Sequence, residues 1–228
     1  MSKSTNHSSD ASDTPQAHCG KFANDCPFVR ELSVVKEELV RLNALVRIDE
    51  ITGLFNFRHF QQSIDLEMER ARRSGHPMSL LMLDIDHFKK FNGCWGHERG
   101  NVALRHVSRI IQDALRRLDI PCRYGGEEFA IILPSTSLHA AINIAERLRQ
   151  GIEEPALVFD EKTALVTASL GVDVYLPNDN DDVSSFVART DACLYEAKDA
   201  GRNCVRHAID REATHVSKEE RDFLLGDV

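Results

Sequence analysis

The sequence contains no long hydrophobic run. No apolar stretch approaches the ~18 residues that a membrane-spanning helix requires. Residues 1–17 are rich in serine, aspartate and threonine and have no apolar core, so they do not resemble a secretory signal peptide. We therefore expect a cytoplasmic protein with no membrane partner.

Closely spaced cysteine pairs are also absent. The six cysteines fall at irregular positions, and none belongs to a Cys-x-x-Cys motif. This pattern predicts free thiols in a reducing compartment rather than disulfides. His18, Cys19 and Cys26 leave two alternatives open. They form a metal or redox-sensing site, for which a spacing of seven residues is poor, or they belong to a loose tail.

Positive charge is in deficit. The chain has 28 Lys and Arg residues against 36 Asp and Glu residues, and its net charge is −8. A protein that coats nucleic acid is therefore excluded, although a local basic pocket is compatible with this balance. The 228 residues are 42% hydrophobic, which is enough for one well-cored domain plus extensions.

Residues 26–48 carry a heptad pattern, and the two ends of the chain differ from this segment in character. Residues 1–25 are polar and patternless, which predicts a disordered tail, and a charged tail occupies residues 209–228. Apolar side chains of the heptad pattern recur at steps of four and three: Phe28, Leu32, Val35, Leu39, Leu42 and Val46.

This narrow apolar stripe favours a two-stranded coiled coil and predicts a homodimer through the helix at 28–48. The alternative is a helix that packs on its own domain. Because about three heptads are only marginally stable by themselves, dimerisation would need help from the domains or from a regulatory protein that binds this stalk.

The segments between residues 49 and 208 predict a single α+β domain. Apolar periodicity indicates four helices. The first runs from Asn56 to about Ser74, the second follows residues 96–101 and runs through about Arg117, and the others cover 138–152 and 183–200. Strands are indicated at 79–83, on both sides of a hairpin near Gly125 and Gly126, and over 163–175. This order is the β-α-β-β-α-β pattern of a ferredoxin-like sheet.

Two clusters of carboxylates mark a candidate site. Asp84 and Asp86 end a buried strand, where carboxylates are costly unless a cation or hydrogen-bond donors meet them, and this suggests Mg²⁺. Glu127 and Glu128 follow two glycines, which predict a tight turn with positive φ at both glycines. The alternative is a hairpin whose two glutamates are exposed to solvent and have no function.

Five motifs agree in order and spacing, and together they resemble the GGDEF-domain diguanylate cyclases in the Gly-Gly-Glu-Glu-Phe variant. The resemblance covers residues 49–208. The motifs are Asp49-x-x-Thr52-Gly53-Leu54-x-Asn56, Asp84-Ile85-Asp86-x-Phe88-Lys89-x-x-Asn92, Gly96-His97-x-x-Gly100, Arg123-Tyr124-Gly125-Gly126-Glu127-Glu128-Phe129 and Ala197-Lys198-x-x-Gly201-Arg202-Asn203. The resemblance implies a palm domain of the nucleotidyl cyclase type that condenses two GTP molecules into cyclic di-GMP and two pyrophosphates.

The resemblance also implies roles for individual residues. Two Mg²⁺ or Mn²⁺ ions per active site would be held by Asp84, the carbonyl of Ile85, Glu127 and Glu128, with Glu127 also acting as general base on the 3′-hydroxyl. The substrate would be bound by the following residues: Phe88, Lys89, Asn92, His97, Asn101, Gly125, Gly126, Lys198 and Arg202. For His97, the alternative is a helix cap or a core histidine.

A product-inhibition site is implied just before the hairpin. Arg116 and Asp119 match an Arg-x-x-Asp motif of the family, and Arg147 would complete the site from a neighbouring domain. An arginine fork suits phosphate and guanine, and an aspartate accepts guanine N–H groups. The alternative is a pair of charges that complements a helix dipole.

The sequence departs from the family at two positions. Gly93 and Asn101 stand where the family usually has aspartate. An asparagine at 101 offers guanine one acceptor in place of a carboxylate that accepts both N1–H and N2–H, and it complements an adenine edge. We therefore expect weaker discrimination for guanine. A non-catalytic receptor for cyclic di-GMP is the other alternative function.

Overall fold

The computed structural model describes residues 27–154 and 156–209, which fall into two compact units divided after Val46. The predicted tails at residues 1–25 and beyond residue 209, together with Cys19 and Cys26, lie outside the described residues. Within the described ranges, no helix is both long and apolar enough to cross a membrane.

The first unit contains helix α1, Pro27–Leu45. Phe28, Leu32 and Val35 of the heptad pattern are exposed along it, and Phe28 reaches 74% exposure. The side chains of the heptad residues Leu39 and Leu42 lie outside the described part of the chain.

The second unit alternates helices and strands as the sequence pattern predicts. Its helices are α2 Phe57–Ser74, α3 Phe88–Trp95, α4 His97–Ala114, α5 Leu138–Glu153 and α6 Val183–Asp199. Its strands are β1 Met78–Ile85, β2 Ile120–Arg123, β3 Glu128–Leu133, β4 Leu157–Phe159, β5 Lys162–Ala164, β6 Ala168–Tyr175 and β7 Val205–His207. Several helices begin at a side-chain cap; Asn56, for example, accepts a hydrogen bond from the N–H of His59.

The main sheet has the strand order β2-β3-β1-β6-β7. Strand β1 lies at its centre, antiparallel to β3 and β6, and β7 adds a parallel strand at one edge. Strands β4 and β5 form a separate two-stranded sheet. The α+β, ferredoxin-like fold predicted from the sequence is confirmed. Its β-α-β-β-α-β core consists of β1, α4, β2, β3, α5 and β6, and the other elements of the second unit are additions to it.

Helices cover both faces of the sheet because successive strand residues point to opposite sides. On β1, Leu81 and Leu83 join a core cluster with residues of α4 and α5. Leu80 and Met82 point the other way, into a cluster with residues of α2 and α6. The carboxyl end of β1 therefore emerges between two helical layers, next to the β2–β3 hairpin.

Two predicted element boundaries are wrong. Helix α4 ends at Ala114 rather than at about Arg117, because Leu115 is extended and the Asp119 carboxylate accepts the Arg116 N–H in a tight turn. The predicted strand over 163–175 is two strands: β5 pairs with β4, and β6 begins at Ala168 in the main sheet. In addition, the segment before α4 contains a separate helix, α3, which the sequence pattern did not resolve.

Gly171 in β6 should be necessary for the packing of α6. A Cβ atom there would lie far inside van der Waals contact with backbone atoms of Thr190 and Leu194. The Gly171→Ala variant should therefore lose about 3 kcal/mol of unfolding free energy, measured by chemical denaturation followed by circular dichroism. Gly93→Ala is the control, because a Cβ at Gly93 meets nothing within 4 Å and should change stability by less than about 1 kcal/mol. Equal stabilities for the two variants would contradict this account.

Candidate nucleotide and metal site

Two carboxylates meet where β1 ends and β3 begins. Asp84 on β1 is the cross-strand partner of Glu128 on β3, and the Ile85 N–H donates to the Glu127 carbonyl over 3.2 Å. Burial raises the pKa of Asp84, although its ion pair with Lys198 (Nζ to Oδ2, 2.9 Å) opposes that shift. Burial and the charge of Asp84 raise the pKa of Glu128. The antiparallel register therefore concentrates negative charge in one partly buried corner.

The loop between β2 and β3 is held by Arg123. Its guanidinium donates to the carbonyls of Gly125 (3.0 Å) and Gly126 (2.7 Å), and to both carboxylate oxygens of Asp49 at 3.1 Å. Asp49 also accepts from the backbone N–H and the hydroxyl of Thr52. Burial alone would raise the pKa of Asp49, but these hydrogen bonds and the Arg123 charge lower it overall. Asp49, in the motif that runs from Asp49 to Asn56, thus stabilises the glycine loop through Arg123.

The predicted tight turn with positive φ at both glycines is wrong. Among the described residues, positive φ occurs at other glycines and not at Gly125 or Gly126. The loop is wider, and the Tyr124 and Gly125 N–H groups both donate to the Glu128 carbonyl. A Cβ at Gly125 would lie 2.5 Å from Oε2 of Glu128, so a side chain there would displace the end of the Glu128 side chain.

Asp86 is an anchor rather than a free metal ligand. Its carboxylate accepts from the hydroxyls of Thr167 (2.8 Å) and Ser169 (2.7 Å) and from the backbone N–H of Asn203 (3.0 Å). The expectation that Asp86 joins Asp84 at Mg²⁺ is therefore corrected. Its bond to Asn203 ties the end of β1 to the turn after α6.

That turn carries Arg202. Helix α6 ends at Asp199, and Arg202 adopts a left-handed conformation with φ of 66°. Arg202 therefore lies beyond the helix and does not share its last turn with Lys198. Its charge nevertheless lowers the pKa of Asp84, which places the guanidinium within electrostatic range of the carboxylate corner.

A cleft opens beside the hairpin. Its lining residues come from α3, the start of α4 and the hairpin: Phe88, Lys89, Asn92, Gly93, His97 and Glu127. The first turn of α3 presents backbone N–H groups that suit an anion, since the α3 cap residue His87 contributes no side-chain capping bond within the described structure. The predicted substrate residues Phe88, Lys89, Asn92 and His97 therefore line one cavity together with Glu127.

Asn92 carries an unused hydrogen-bonding atom in this cleft. Its Oδ1 is buried and has no hydrogen-bond partner in the described part of the chain. Gly100 of α4 packs so closely against it that a Cβ would collide with Oδ1. Asn101 follows on α4, one helical turn after His97 and on the same face. Asn101 is not among the residues that line the cleft. The cleft therefore offers the Asn92 amide to a base and N–H groups to phosphates.

The donor set fits a hard divalent cation. Asp84, Glu127, Glu128 and the Ile85 carbonyl offer oxygen ligands, which Mg²⁺ prefers and completes with water or phosphate oxygens. A cation would also offset the burial and repulsion that raise the pKa values of Asp84 and Glu128. No ready-made group of three or more metal-binding side chains occurs within residues 27–154 and 156–209. Phosphates would therefore have to supply part of the coordination.

The predicted product-inhibition residues lie together at the end of α4. The Arg116 N–H donates to Asp119 Oδ2 over 2.8 Å, and Arg147 on α5 donates to the Ala114 carbonyl over 2.6 Å. Burial raises the pKa of Asp119, while the hydrogen bond from Arg116 and the charges of Arg116 and Arg147 oppose the shift. Arg147 therefore lies near this cluster within its own chain, and its contribution to the site of a neighbouring domain stays a prediction.

Sequence reasoning missed one charge near the site and left two others without a role. Asp191 on α6 contributes to the raised pKa values of Glu128 and Tyr124. No motif contains Asp191, so no sequence signal identified it. Asp49 and Arg123 were part of matched motifs, but their contact spans 74 positions and appears only in the fold.

Comparisons with known proteins agree with this geometry. The family model described as "Diguanylate cyclase, GGDEF domain" matches residues 46–204. The response regulator PleD of Caulobacter vibrioides is 40% identical over 159 residues, which are 69% of this chain and 35% of PleD. The diguanylate cyclase VdcA of Vibrio cholerae is 38% identical over 179 residues, covering 77% of this chain and 51% of VdcA.

Among solved structures, the coiled coil and GGDEF domain of DgcB from Caulobacter crescentus, in complex with c-di-GMP, superposes with a TM-score of 0.69 and 30% identity. The match covers 79% of this chain and 95% of the DgcB chain. This chain spans about a third to a half of the length of the curated relatives named here. Because the family model covers well over half of its residues, the chain belongs to the GGDEF-domain family of diguanylate cyclases.

Proposed function

We propose that this chain is a diguanylate cyclase that condenses two GTP molecules into cyclic di-GMP and releases two pyrophosphates. One observation carries the proposal. The cross-strand pair Asp84 and Glu128 lies beside Lys198 and next to a cleft lined by Asn92 and Glu127. A receptor that binds product without turnover needs no such carboxylate corner.

Each side chain would perform a definite task in this reaction. Glu127 at the loop would take the proton from the 3′-hydroxyl, whose oxygen attacks the α-phosphorus while pyrophosphate leaves. Lys198 and Arg202 would hold the β- and γ-phosphates. The N–H groups of Phe88 and Lys89 would bind phosphate oxygens, and Gly125 and Gly126 would let the backbone lie against the α-phosphate.

Two Mg²⁺ or Mn²⁺ ions per active site would supply charge stabilisation for the attacking and leaving oxygens. Asp84, the Ile85 carbonyl, Glu127 and Glu128 would hold them. In the free protein Lys198 neutralises Asp84 through their 2.9 Å ion pair. Lys198 would therefore have to turn from Asp84 to the triphosphate when substrate binds.

Catalysis would require two chains, because each domain holds one GTP and each GTP attacks the other. The exposed heptad residues Phe28, Leu32 and Val35 support a homodimer through the 28–48 helix. Such a stalk raises the effective concentration of the second half-site. The catalytic domain would span residues 49–208, close to the range that the family model matches.

A regulatory protein that binds the stalk is a further part of this proposal. Diguanylate cyclase SiaD of Pseudomonas aeruginosa, whose structure was solved in complex with its activator SiaC, matches 78% of this chain at 35% identity and a TM-score of 0.69. The match covers 68% of the SiaD chain.

We place this protein in the cytoplasm, in keeping with the free thiols of its described cysteines.

The Arg116–Asp119 turn and Arg147 would bind cyclic di-GMP as a feedback inhibitor. Two guanidinium groups and a partly buried carboxylate match the phosphates and the guanine N–H groups of that product. This cluster precedes β2, whose hairpin partner β3 carries Glu128. Product binding would therefore occur at the other end of the hairpin from the catalytic corner.

Relaxed base specificity is a second candidate property. It is favoured by Asn101, which shares a face of α4 with His97 in the cleft. An asparagine satisfies one guanine donor where a carboxylate satisfies two, and it also suits adenine.

Incubation with GTP and Mg²⁺ should yield cyclic di-GMP and pyrophosphate, identified by chromatography. The rate should rise more steeply than linearly with protein concentration, because two chains must meet. Glu127→Ala should lower the rate by about a hundredfold or more. Glu154→Ala, which removes an exposed carboxylate at the end of α5, should leave the rate unchanged. A Glu127→Ala variant that still makes product at the normal rate would overturn the catalytic assignment.

Added cyclic di-GMP should inhibit the protein, and Asp119→Ala should raise the inhibitory concentration at least tenfold, since it removes the guanine acceptor. Initial rates measured at a series of product concentrations test this. Asp113→Ala on α4 is the control and should keep normal inhibition. Inhibition that is equal in both variants would refute the assignment of Asp119.

The Asn101→Asp variant should favour GTP over ATP by about 10- to 100-fold more than the natural chain, because it restores a second guanine contact worth ~1–3 kcal/mol. Chromatography of products from mixed GTP and ATP measures this preference. Strict use of GTP with a low-micromolar KM by the natural chain would refute relaxed specificity.

A further inference from the structure

Helix α3 separates two cavities. Phe88, Lys89, Asn92 and Gly93 line the nucleotide cleft on one side. On the opposite side, positions with helical spacing line a second cavity: His87, Lys90, Phe91, Cys94 and Trp95. Because residues three and four positions apart share a helix face, these two sets point in opposite directions. The second cavity is therefore distinct from the cleft assigned to GTP.

Aromatic and aliphatic side chains form the walls of this second cavity. The rings of Phe91 and Trp95 lie 6.3 Å apart, and the buried Val166 and Ile85 contribute apolar surface. Trp95 is held from outside by Phe159, whose ring centroid is 5.5 Å away. The aromatic wall is thus fixed in position before any ligand arrives, which lowers the entropic cost of binding.

The charges around the cavity favour an anion. Lys90 and His87 are exposed at its rim. The one carboxylate in its lining, Asp86, already accepts three hydrogen bonds from Thr167, Ser169 and Asn203. Nearby, Arg99 lies 5.7 Å from the Trp95 ring and pairs with Asp160. Lys90 is therefore left to meet a ligand carboxylate.

We propose that this cavity binds a small aromatic carboxylate of one or two rings. Its volume of about 290 Å³ lies just below the usual range for ligand pockets, which limits the size of the ligand. The ring would pack against Phe91 and Trp95, and the carboxylate would pair with Lys90. An aromatic ligand without a carboxylate would lack the ion pair with Lys90.

A ligand bound in this cavity would also affect the nucleotide site. Asp86 and Thr167 line the cavity and anchor the turn that carries Arg202 through the Asn203 N–H. Helix α3 presents Asn92 to the cleft from its other face. A bound aromatic acid should therefore change GTP affinity, and this second part rests on the proposed function.

Trp95 gives a site-specific test, because it is the single tryptophan of the chain. Protein labelled with 5-fluorotryptophan should show one ¹⁹F resonance. Titration with 2-naphthoate should shift it, with a dissociation constant on the order of 0.1 mM. Lys90→Gln should weaken binding about fivefold, whereas Lys89→Gln, on the opposite face, should leave it unchanged. The neutral analogue 2-naphthalenemethanol should bind natural protein about as weakly as 2-naphthoate binds Lys90→Gln.

An unshifted resonance at 1 mM 2-naphthoate, or equal affinities in the two lysine variants, would overturn the binding site. The coupling is tested separately by equilibrium dialysis of a non-hydrolysable GTP analogue with and without saturating 2-naphthoate. A change of twofold or more in analogue affinity supports it, and an unchanged affinity overturns the coupling. Failure of the analogue to bind at all would count against the proposed function and leave the ¹⁹F result to decide the cavity.

Discussion

The antiparallel register of β1 and β3 is the constraint on which the site depends. It sets Asp84 opposite Glu128 and so forces two carboxylates into one partly buried corner. Burial raises the pKa values of both groups, and only part of the cost is offset by the Lys198 ion pair. A cation at this corner would therefore stabilise the pair of carboxylates that the strand pairing brings together, which gives the proposed cation binding a physical cause in the fold.

Two polar anchors hold the loops of the site in place. Asp49 and Arg123 brace the glycine loop, and Asp86 braces the turn that carries Arg202. Neither anchor needs to touch a substrate to matter, because phosphoryl transfer depends on positioning and small displacements of reacting groups are costly in rate. The motif Asp84-Ile85-Asp86 thus serves structure through Asp86 and the proposed chemistry through Asp84.

Helix α3 and the β2–β3 hairpin connect the regions outside the carboxylate corner. Residues on one face of α3 line the nucleotide cleft, and residues on the other line the aromatic cavity. The hairpin runs from the Arg116–Asp119 turn to Glu128. Any ligand in the aromatic cavity or at the Arg116–Asp119 turn would therefore contact an element that also shapes the carboxylate corner.

The sequence by itself determined the fold class, the family and most of the cleft residues, because apolar periodicity and motif spacing are local properties. The tertiary structure decided the rest. Only the register showed that Asp84 faces Glu128, and only tertiary contacts showed that the Asp86 carboxylate accepts three hydrogen bonds. Only the folded backbone showed that Gly125 and Gly126 do not adopt the predicted positive φ. Arg147 reaches its cluster from the same chain, and Asp191 approaches Glu128 from α6, since contacts between distant segments leave no mark in local sequence.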